Sequence, residues 1–279
     1  MKKFRRSSRL VEMTQYLLER PHVLIPLTVF AEKYNSAKSS ISEDLAIIKE
    51  VFETEGNGEL HTLAGAAGGV KYIPKLSRSS ALDIIGSICT QLSQPERVLP
   101  GGYLYLSDVL GQPAILHAIG RMFASVFADL KADVVMTVET KGIPIAHAIA
   151  SYLNLPVVIV RRDHQVTEGS AVSINYVSGS SKRIHTMSLA RRALEANAKV
   201  LIVDDFMRAG GTIRGMMDLL QEFQATVLGV GVFVESGEIE PAEQLVHEYI
   251  SLAKISGIDP KNRQIAVQPG NYFTISGSH

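Results

Sequence analysis

The first 76 residues carry apolar side chains at the three- and four-residue spacing of amphipathic helices. Three groups of such residues predict three short helices, the first of which ends at Pro21. In the third helix, Ser40 and Glu43 have the spacing of a capping box, although a start near Ala37 fits the pattern as well. The groups are Leu10, Met13, Leu17 and Leu18; Leu27, Phe30, Ala31 and Tyr34; and Ile41, Leu45, Ile48 and Phe52.

Two short strand-like runs follow, residues 60–63 and 70–73, and the glycine-rich residues 64–69 join them. This arrangement predicts a hairpin. Three helices followed by a glycine-tipped hairpin predict a small winged-helix (α+β) domain. Its second and third helices, with the short turn between them, have the proportions of a helix-turn-helix.

After the polar residues 77–80, the pattern changes to a regular alternation of helices and strands. Such alternation predicts a doubly wound α/β fold with a parallel sheet, completed by a last strand at residues 227–234. We therefore predict two domains, residues 1–76 and 77–279. The other predicted strands are residues 134–138, 157–160 and 200–203; the predicted helices cover residues 81–92, 113–127, the segment after Pro144, and a stretch with Ile213, Met216, Leu220 and Phe223.

Residues 200–212, Val-Leu-Ile-Val-Asp-Asp-Phe-Met-Arg-Ala-Gly-Gly-Thr, carry the strongest chemical signal. The apolar run predicts a buried strand ending at Asp204 and Asp205, at the edge where parallel sheets bind ligands. Gly210 and Gly211 let backbone N–H groups approach an oxyanion, and the next helix adds its N-terminal donors. Carboxylates beside a phosphate suit ribose hydroxyls and a nearby magnesium ion. The stretch predicts a ribose 5-phosphate derivative as ligand.

Plainer explanations exist for this stretch and for a second loop. A buried strand can simply end in acids, and receiver domains also carry paired acids after an apolar strand, but near the start of their fold. In the second loop, Lys141 beside Gly142 follows the strand at residues 134–138 and is placed to hold a diphosphate. The same Gly-Ile-Pro sequence is also an ordinary helix start.

Polar residues at the start of the third helix suit a DNA major groove and its phosphates. The cations of residues 1–9 are predicted to lie unpaired before the first helix, along phosphates or in the minor groove. A protein-binding winged helix is the alternative, because residues 1–76 hold 11 basic and 9 acidic residues, a net charge of only +2. The predicted DNA contacts are Lys2, Lys3, Arg5, Arg6, Arg9, Lys38, Ser39, Ser40, Ser42 and Lys71.

Composition narrows the class of protein without deciding its partner. The 28 basic and 28 acidic residues balance, so overall charge argues neither for nor against an anionic ligand. One cysteine, Cys89, permits no internal disulfide and fits a reducing compartment. Because no apolar run approaches a membrane span, we expect a cytoplasmic protein without a membrane partner. We identify no metal-ligand cluster, nucleophile–base pair or Walker loop, and predict no catalytic residue.

The stretch at residues 200–212 resembles the phosphoribosyl diphosphate (PRPP) motif of type I phosphoribosyltransferases. It departs from that motif at Arg208 and Ala209, where a small and a hydroxyl residue are usual. The resemblance implies a phosphoribosyltransferase fold, a pyrophosphate loop at residues 139–144 and a mobile arm over residues 161–185. The predicted PRPP site comprises Tyr103, Thr140, Lys141, Gly142, Arg161, Asp204, Asp205, Phe206, Met207, Arg208, Ala209, Gly210, Gly211 and Thr212.

Joined to the winged helix, this domain resembles the purine operon repressor family of Gram-positive bacteria over nearly the whole chain. Residues 37–45, 99–103, 166–170 and 204–212 carry the resemblance. It implies a homodimeric repressor of purine biosynthesis and transport genes that binds double-stranded operator DNA. The resemblance also implies that PRPP releases the repressor and that no phosphoribosyl transfer occurs.

Two other functions are compatible with the same residues. One is an active purine phosphoribosyltransferase with an accessory domain, which would need a pocket that positions a nucleobase. The other is a winged-helix protein-interaction module with a nucleotide sensor. Two anion-binding loops in one cleft also suggest that a guanosine polyphosphate competes with PRPP.

Overall fold

The computed structural model describes residues 4–65, 68–100, 103–163, 169–177, 184–237, 239–259 and 261–276. These residues form two compact units, one made of the residues up to Arg78 together with Tyr152–Asn154 and the other made of the rest. Within the described ranges, no helix is long and apolar enough to cross a membrane. Lys2 and Lys3, two of the predicted DNA contacts, lie outside them.

The N-terminal unit contains the predicted three helices and hairpin. Helices α1 (Arg6–Leu18), α2 (Leu27–Tyr34) and α3 (Lys38–Thr54) precede the antiparallel strands β1 (Glu59–Leu63) and β2 (Gly69–Ile73). Their apolar faces enclose one core, in which Met13, Leu17, Phe30, Ile41 and Val70 are fully buried. The winged-helix prediction is thereby confirmed at the level of fold.

Two details of the helix starts differ from the sequence prediction. Helix α1 begins at Arg6, so the cations Arg6 and Arg9 lie within the helix and not before it. Helix α3 begins at Lys38 after Ala37, without a side-chain capping hydrogen bond. The capping box at Ser40 and Glu43 is therefore wrong, and the earlier start is confirmed.

The larger unit is built on a six-stranded sheet with strand order β12-β11-β10-β9-β5-β6. All neighbouring strands are parallel except β12, which pairs antiparallel with β11 at the edge. The strands are β5 (Val134–Val138), β6 (Val157–Val160), β9 (Lys199–Met207), β10 (Thr226–Ser236), β11 (Ile250–Asp259) and β12 (Gln264–Pro269).

Helices cover both faces of this sheet, as the doubly wound prediction requires. On one face, Phe123 and Phe127 pack against Gly229 and Gly231 of β10. On the other face, buried residues of the helix after β9 share a core with Val230 and Val232. The longer helices are α4 (Arg78–Leu92), α6 (Pro113–Phe127), α7 (Gly142–Leu153) and α8 (Gly211–Gln221), and the shorter ones are α5 (Ser107–Leu110) and α9 (Tyr272–Ser276).

Several strands were missed from the sequence. Strands β11 and β12 extend the sheet beyond residues 227–234, so the prediction that those residues form the last strand is wrong. The stretch at residues 161–185, expected as an arm, contains β7 (Ala171–Val177), which pairs antiparallel with β8 (Ile184–Ala190). Two short strands, β3 (Val98–Leu99) and β4 (Tyr103–Leu104), form a separate pair. Residues 164–168 and 178–183 of the arm lie outside the described residues.

Candidate functional site

Asp204 and Asp205 lie near the carboxyl end of β9, in the interior of the sheet. Asp204 is only 4% exposed, and Asp205 is half-buried. The Asp205 N–H donates a hydrogen bond to Asp204 Oδ1 over 2.9 Å. Burial raises the pKa of Asp204 well above its ordinary value, and the neighbouring Asp205 charge raises it further. The fold thus keeps Asp204 out of water and shields Asp205 in part, and a ligand hydroxyl or a cation would stabilise the charge of these carboxylates.

The residues after this pair form a loop that leads into α8. Ala209, Gly210 and Gly211 are buried, and Arg208 is exposed. Gly210 has a φ of +82°, which a residue with a side chain rarely adopts. Helix α8 begins at Gly211 without a side-chain cap, so its first N–H groups lack intrahelical partners and carry the positive end of the helix dipole. This geometry suits an oxyanion.

The loop after β5 lies directly beside the acid pair. A Cβ atom added to Gly142 would overlap Thr137 Oγ1 and would lie 3.5 Å from Asp204 Oδ1. Burial raises the pKa of Asp205, while the nearby positive charges of Lys141 and Arg162 oppose that rise. The fold therefore brings the loop at residues 139–142 and the acids into one site.

Glu139 ties the ends of β5 and β6 together. Its carboxylate accepts a hydrogen bond from Arg161 Nη1 over 3.1 Å and one from the Arg162 backbone N–H over 2.7 Å. Arg162 Nε also donates to the Glu139 carbonyl over 3.2 Å. Glu139 and Arg162 lie in the predicted pyrophosphate loop and arm but are not among the residues predicted for the PRPP site. Their positions immediately after the two strands are the sequence signal that could have found them.

The remaining predicted residues differ in how the structure places them. Thr140 and Lys141 are exposed, and Phe206 and Thr212 are half-buried. Met207 is 3% exposed and packs in the core with α8, so its side chain supports the loop from behind. Tyr103, on β4, is 68% exposed, and its part in the site stays a prediction. Among the residues that the structure describes, no group of three or more His, Cys, Asp or Glu could hold a metal ion.

The predicted DNA-contacting residues of α3 lie at its exposed start. Asn35 ends α2 in the left-handed conformation, and α3 follows after a short turn. Lys38, Ser39 and Ser42 are exposed, while Ser40 is half-buried. Ser42 Oγ donates to the Lys38 carbonyl over 3.0 Å. Lys71, on β2, is half-buried opposite His61.

Two of the cations predicted to be unpaired are held by a buried carboxylate. Asp44 of α3 is fully buried, and its oxygens accept hydrogen bonds from Arg6 Nε over 2.9 Å and Arg9 Nε over 2.8 Å. The Arg9 side chain is only 14% exposed, whereas the Arg6 side chain is 54% exposed. The expectation that both are unpaired is wrong, because the charge of Asp44 requires partners inside the fold.

Two family models match the chain. The model described as the N-terminal domain of the bacterial purine repressor matches residues 5–74. The model of the phosphoribosyl transferase domain matches residues 106–268. The first match falls on the winged helix and the second on the unit built around the parallel sheet.

Relatives of nearly full length carry both parts. The chain is 60% identical to the purine biosynthesis transcriptional repressor PurR of Bacillus subtilis strain 168, covering 97% of this chain and 94% of that protein. It is 46% identical to the purine biosynthesis transcriptional activator PurR of Lactococcus lactis strain IL1403, covering 96% and 98%. Adenine phosphoribosyltransferase from Thermoanaerobacter pseudethanolicus shares the fold, with a TM-score of 0.53 and 19% identity over 60% of this chain and 98% of that chain.

The buried charge of Asp204 gives a pH-dependent prediction. Asp204→Asn keeps the acceptor for the Asp205 N–H and removes the charge. Because the folded-state pKa is raised above the ordinary value of 3.8, ionisation of Asp204 destabilises the fold as the pH rises above that value. Without ligand, the variant should unfold roughly 2–4 °C higher at neutral pH, the effect of about 1 kcal/mol in such a domain. The gain should vanish toward pH 4. A gain independent of pH, measured by thermal unfolding, would contradict this.

The Asp44 cluster gives a second prediction, with Arg5 as the matched control. Arg9→Met leaves the buried carboxylate with one fewer guanidinium, so the N-terminal unit should lose about 3–5 kcal/mol of stability. Hydrogen exchange of the amides in α1 and α3 measures this loss in the full chain. Arg5 is exposed. Arg5→Met should leave stability unchanged and reduce the salt slope of DNA binding by about one. The prediction fails if Arg9→Met changes the salt slope but not the exchange.

Proposed function

The chain belongs to the family of bacterial purine biosynthesis transcriptional regulators, and from that premise we propose that it is a repressor controlled by PRPP. The winged helix binds operator DNA upstream of purine biosynthesis and transport genes. PRPP binds in the phosphoribosyltransferase-like unit and releases the repressor. We further propose that the protein acts as a homodimer in the cytoplasm.

The observation that carries the PRPP proposal is the placement of two loops against one buried acid pair. The loop at residues 208–211 leads into the N-terminus of α8, and Gly142 lies close to Asp204. PRPP carries a 5-phosphate and a diphosphate on one ribose, so it offers an anion to each loop and hydroxyls to Asp204 and Asp205. Magnesium bound with the diphosphate would reduce repulsion between the ligand and these carboxylates.

Regulation by PRPP requires that PRPP bind the DNA-free state more tightly than the DNA-bound state. A coupling of 1–3 kcal/mol corresponds to a change in operator affinity of about 5- to 150-fold. The test is a titration of operator binding with PRPP. Because the Lactococcus lactis relative is named an activator, transcription from the same promoter should be measured alongside.

Replacing Asp204 and Asp205 together with alanine should abolish the PRPP response. The substitutions remove the acceptors for the ribose hydroxyls and lie in the other unit from the winged helix. Operator affinity without PRPP should therefore stay within about twofold of wild type, while the change of about 5-fold or more on adding PRPP is lost. A double mutant released from operator at the wild-type PRPP concentration would place the effector site elsewhere.

The alternative is an active purine phosphoribosyltransferase, and the match to the phosphoribosyl transferase domain keeps it open. Transfer requires a pocket that positions the base against the anomeric carbon, and PRPP binding alone does not supply one. We propose that the domain binds without transfer. Incubation with labelled PRPP and each purine base decides between the two, since nucleotide formation at a physiological rate would make the protein an enzyme.

A guanosine polyphosphate is a second proposed ligand of the same site. Its phosphate groups are suited to the loop that contains Lys141 and to the loop before α8 together, which are the two loops that PRPP would use. Competition calorimetry tests this, because a ligand of a shared site must weaken PRPP binding in proportion to its own affinity.

A further inference from the structure

A segment between β10 and β11 contacts the loop that precedes α8. The Leu245 N–H donates a hydrogen bond to the Ala209 carbonyl over 2.9 Å. Val246, only 4% exposed, packs so closely that a Cβ atom added to Gly210 would lie 2.9 Å from its Cγ2 atom. Residues 244–249, which we term the bracing segment, therefore limit where the loop can move.

The bracing segment is itself fixed by internal hydrogen bonds. Gln244 Nε2 donates to the Val246 carbonyl over 2.9 Å and lies 3.4 Å from the Tyr249 hydroxyl. At its end, the carbonyl of Tyr249 accepts a hydrogen bond from Asn271 Nδ2 over 2.8 Å. These bonds restrict the conformations that the segment can adopt.

Tyr249 connects the bracing segment to the central sheet. Its hydroxyl donates to the carboxylate of Glu235, a residue of β10 that is only 5% exposed. Ser251 Oγ donates to the same carboxylate over 3.1 Å. Burial, together with the Glu235 carboxylate, raises the pKa of Tyr249, so the phenol stays protonated and donates at neutral pH.

Together with strand β9, these contacts form a closed series of interactions, which we call the contact ring, that includes the loop before α8. Glu235 lies opposite Met207 in the register of β10 and β9, and Met207 begins the loop. In this contact ring, Glu235 binds Tyr249 of the bracing segment, and the bracing segment contacts the loop at Ala209 and Gly210. The loop is thus held at Met207 by the sheet and at Ala209 and Gly210 by the bracing segment.

We propose that Tyr249 and Val246 are positioning residues for the loop at residues 208–211, which precedes α8. They keep the Ala209 carbonyl bonded to Leu245, so that the N–H groups at the start of α8 remain in place for the phosphate. The predicted effect on PRPP binding rests on the proposed function. The predicted effect on the order of the loop does not depend on any ligand.

Tyr249→Phe tests the proposal with the smallest change, because it removes one hydroxyl and keeps the ring. Loss of this anchoring hydrogen bond should weaken PRPP binding about 5- to 10-fold. It should also speed amide hydrogen exchange at residues 208–213 without ligand. Operator affinity in the absence of PRPP should not change. Val246→Ala, which removes the contact with Gly210, should act in the same direction.

Tyr272→Phe is the matched control. The Tyr272 hydroxyl is also buried and donates to the Met122 carbonyl over 3.4 Å, and burial raises its pKa to about 12. A purely structural loss of a buried phenol should affect both variants alike. We expect Tyr272→Phe to bind PRPP like wild type and to leave exchange at residues 208–213 unchanged.

The two readouts separate failure of this inference from failure of the proposed function. If wild type does not bind PRPP but Tyr249→Phe speeds amide exchange at residues 208–213, the proposed ligand is wrong and the positioning role of Tyr249 is supported. If wild type binds PRPP and neither Tyr249→Phe nor Val246→Ala changes PRPP affinity or amide exchange relative to Tyr272→Phe, the proposed positioning role is wrong. Should Tyr249→Phe fail to fold, Val246→Ala decides the result alone.

Discussion

The buried carboxylate pair at the end of β9 is the constraint on which the larger unit depends. A charge in a protein interior is costly unless neighbouring groups compensate it, and burial raises the pKa of both Asp204 and Asp205. Lys141 and Arg162 supply opposing positive charge. Glu139 in turn fixes Arg162, because the backbone N–H and the Nε atom of Arg162 both donate hydrogen bonds to Glu139. The ends of β5, β6 and β9 thus form one electrostatic network.

The N-terminal unit uses a buried carboxylate for a different purpose. Asp44 lies inside the fold and binds Arg6 and Arg9 of α1, which links the first helix to the helix expected to read DNA. Cations that seem equivalent in the sequence are therefore divided in the structure. Arg9 is mostly buried and structural, whereas Arg6 and Arg5 retain exposed surface for a phosphate.

In a regulator, the effector site must bind and hold its ligand, whereas an enzyme must also align a second reactant. In the function we propose, the acid pair, the two loops beside it and the bracing segment all contribute to binding and holding a ligand. For the regulatory function we propose, a fixed loop has an additional value. An effector changes DNA affinity only by the difference in its binding to two states, and a loop that is already ordered loses less of that binding energy to conformational entropy.

The sequence alone determined the fold class and singled out the residues proposed for the site. Helical and strand periodicity are local properties, so they located α1 to α3, β5, β6, β9 and β10. The motif at residues 204–212 and Lys141 beside Gly142 were recognisable because anion-binding loops use characteristic residues at the ends of strands. The same locality explains the error at α1, since cations near the start of a chain give no sign that they pair with Asp44, 35 residues or more away.

Only the tertiary structure decided which remote residues meet. Glu139 meets Arg161 and Arg162 because β5 and β6 are neighbours in the sheet, and Gly142 lies beside Asp204 because β9 pairs with the other side of β5. Strand order depends on packing over the whole domain, so the local periodicity of the sequence does not predict it. The contact of residues 244–249 with Gly210 is of the same kind. It exists because β10 ends at the same edge of the sheet as β9, and the residues that lead from β10 to the parallel strand β11 pass the loop before α8.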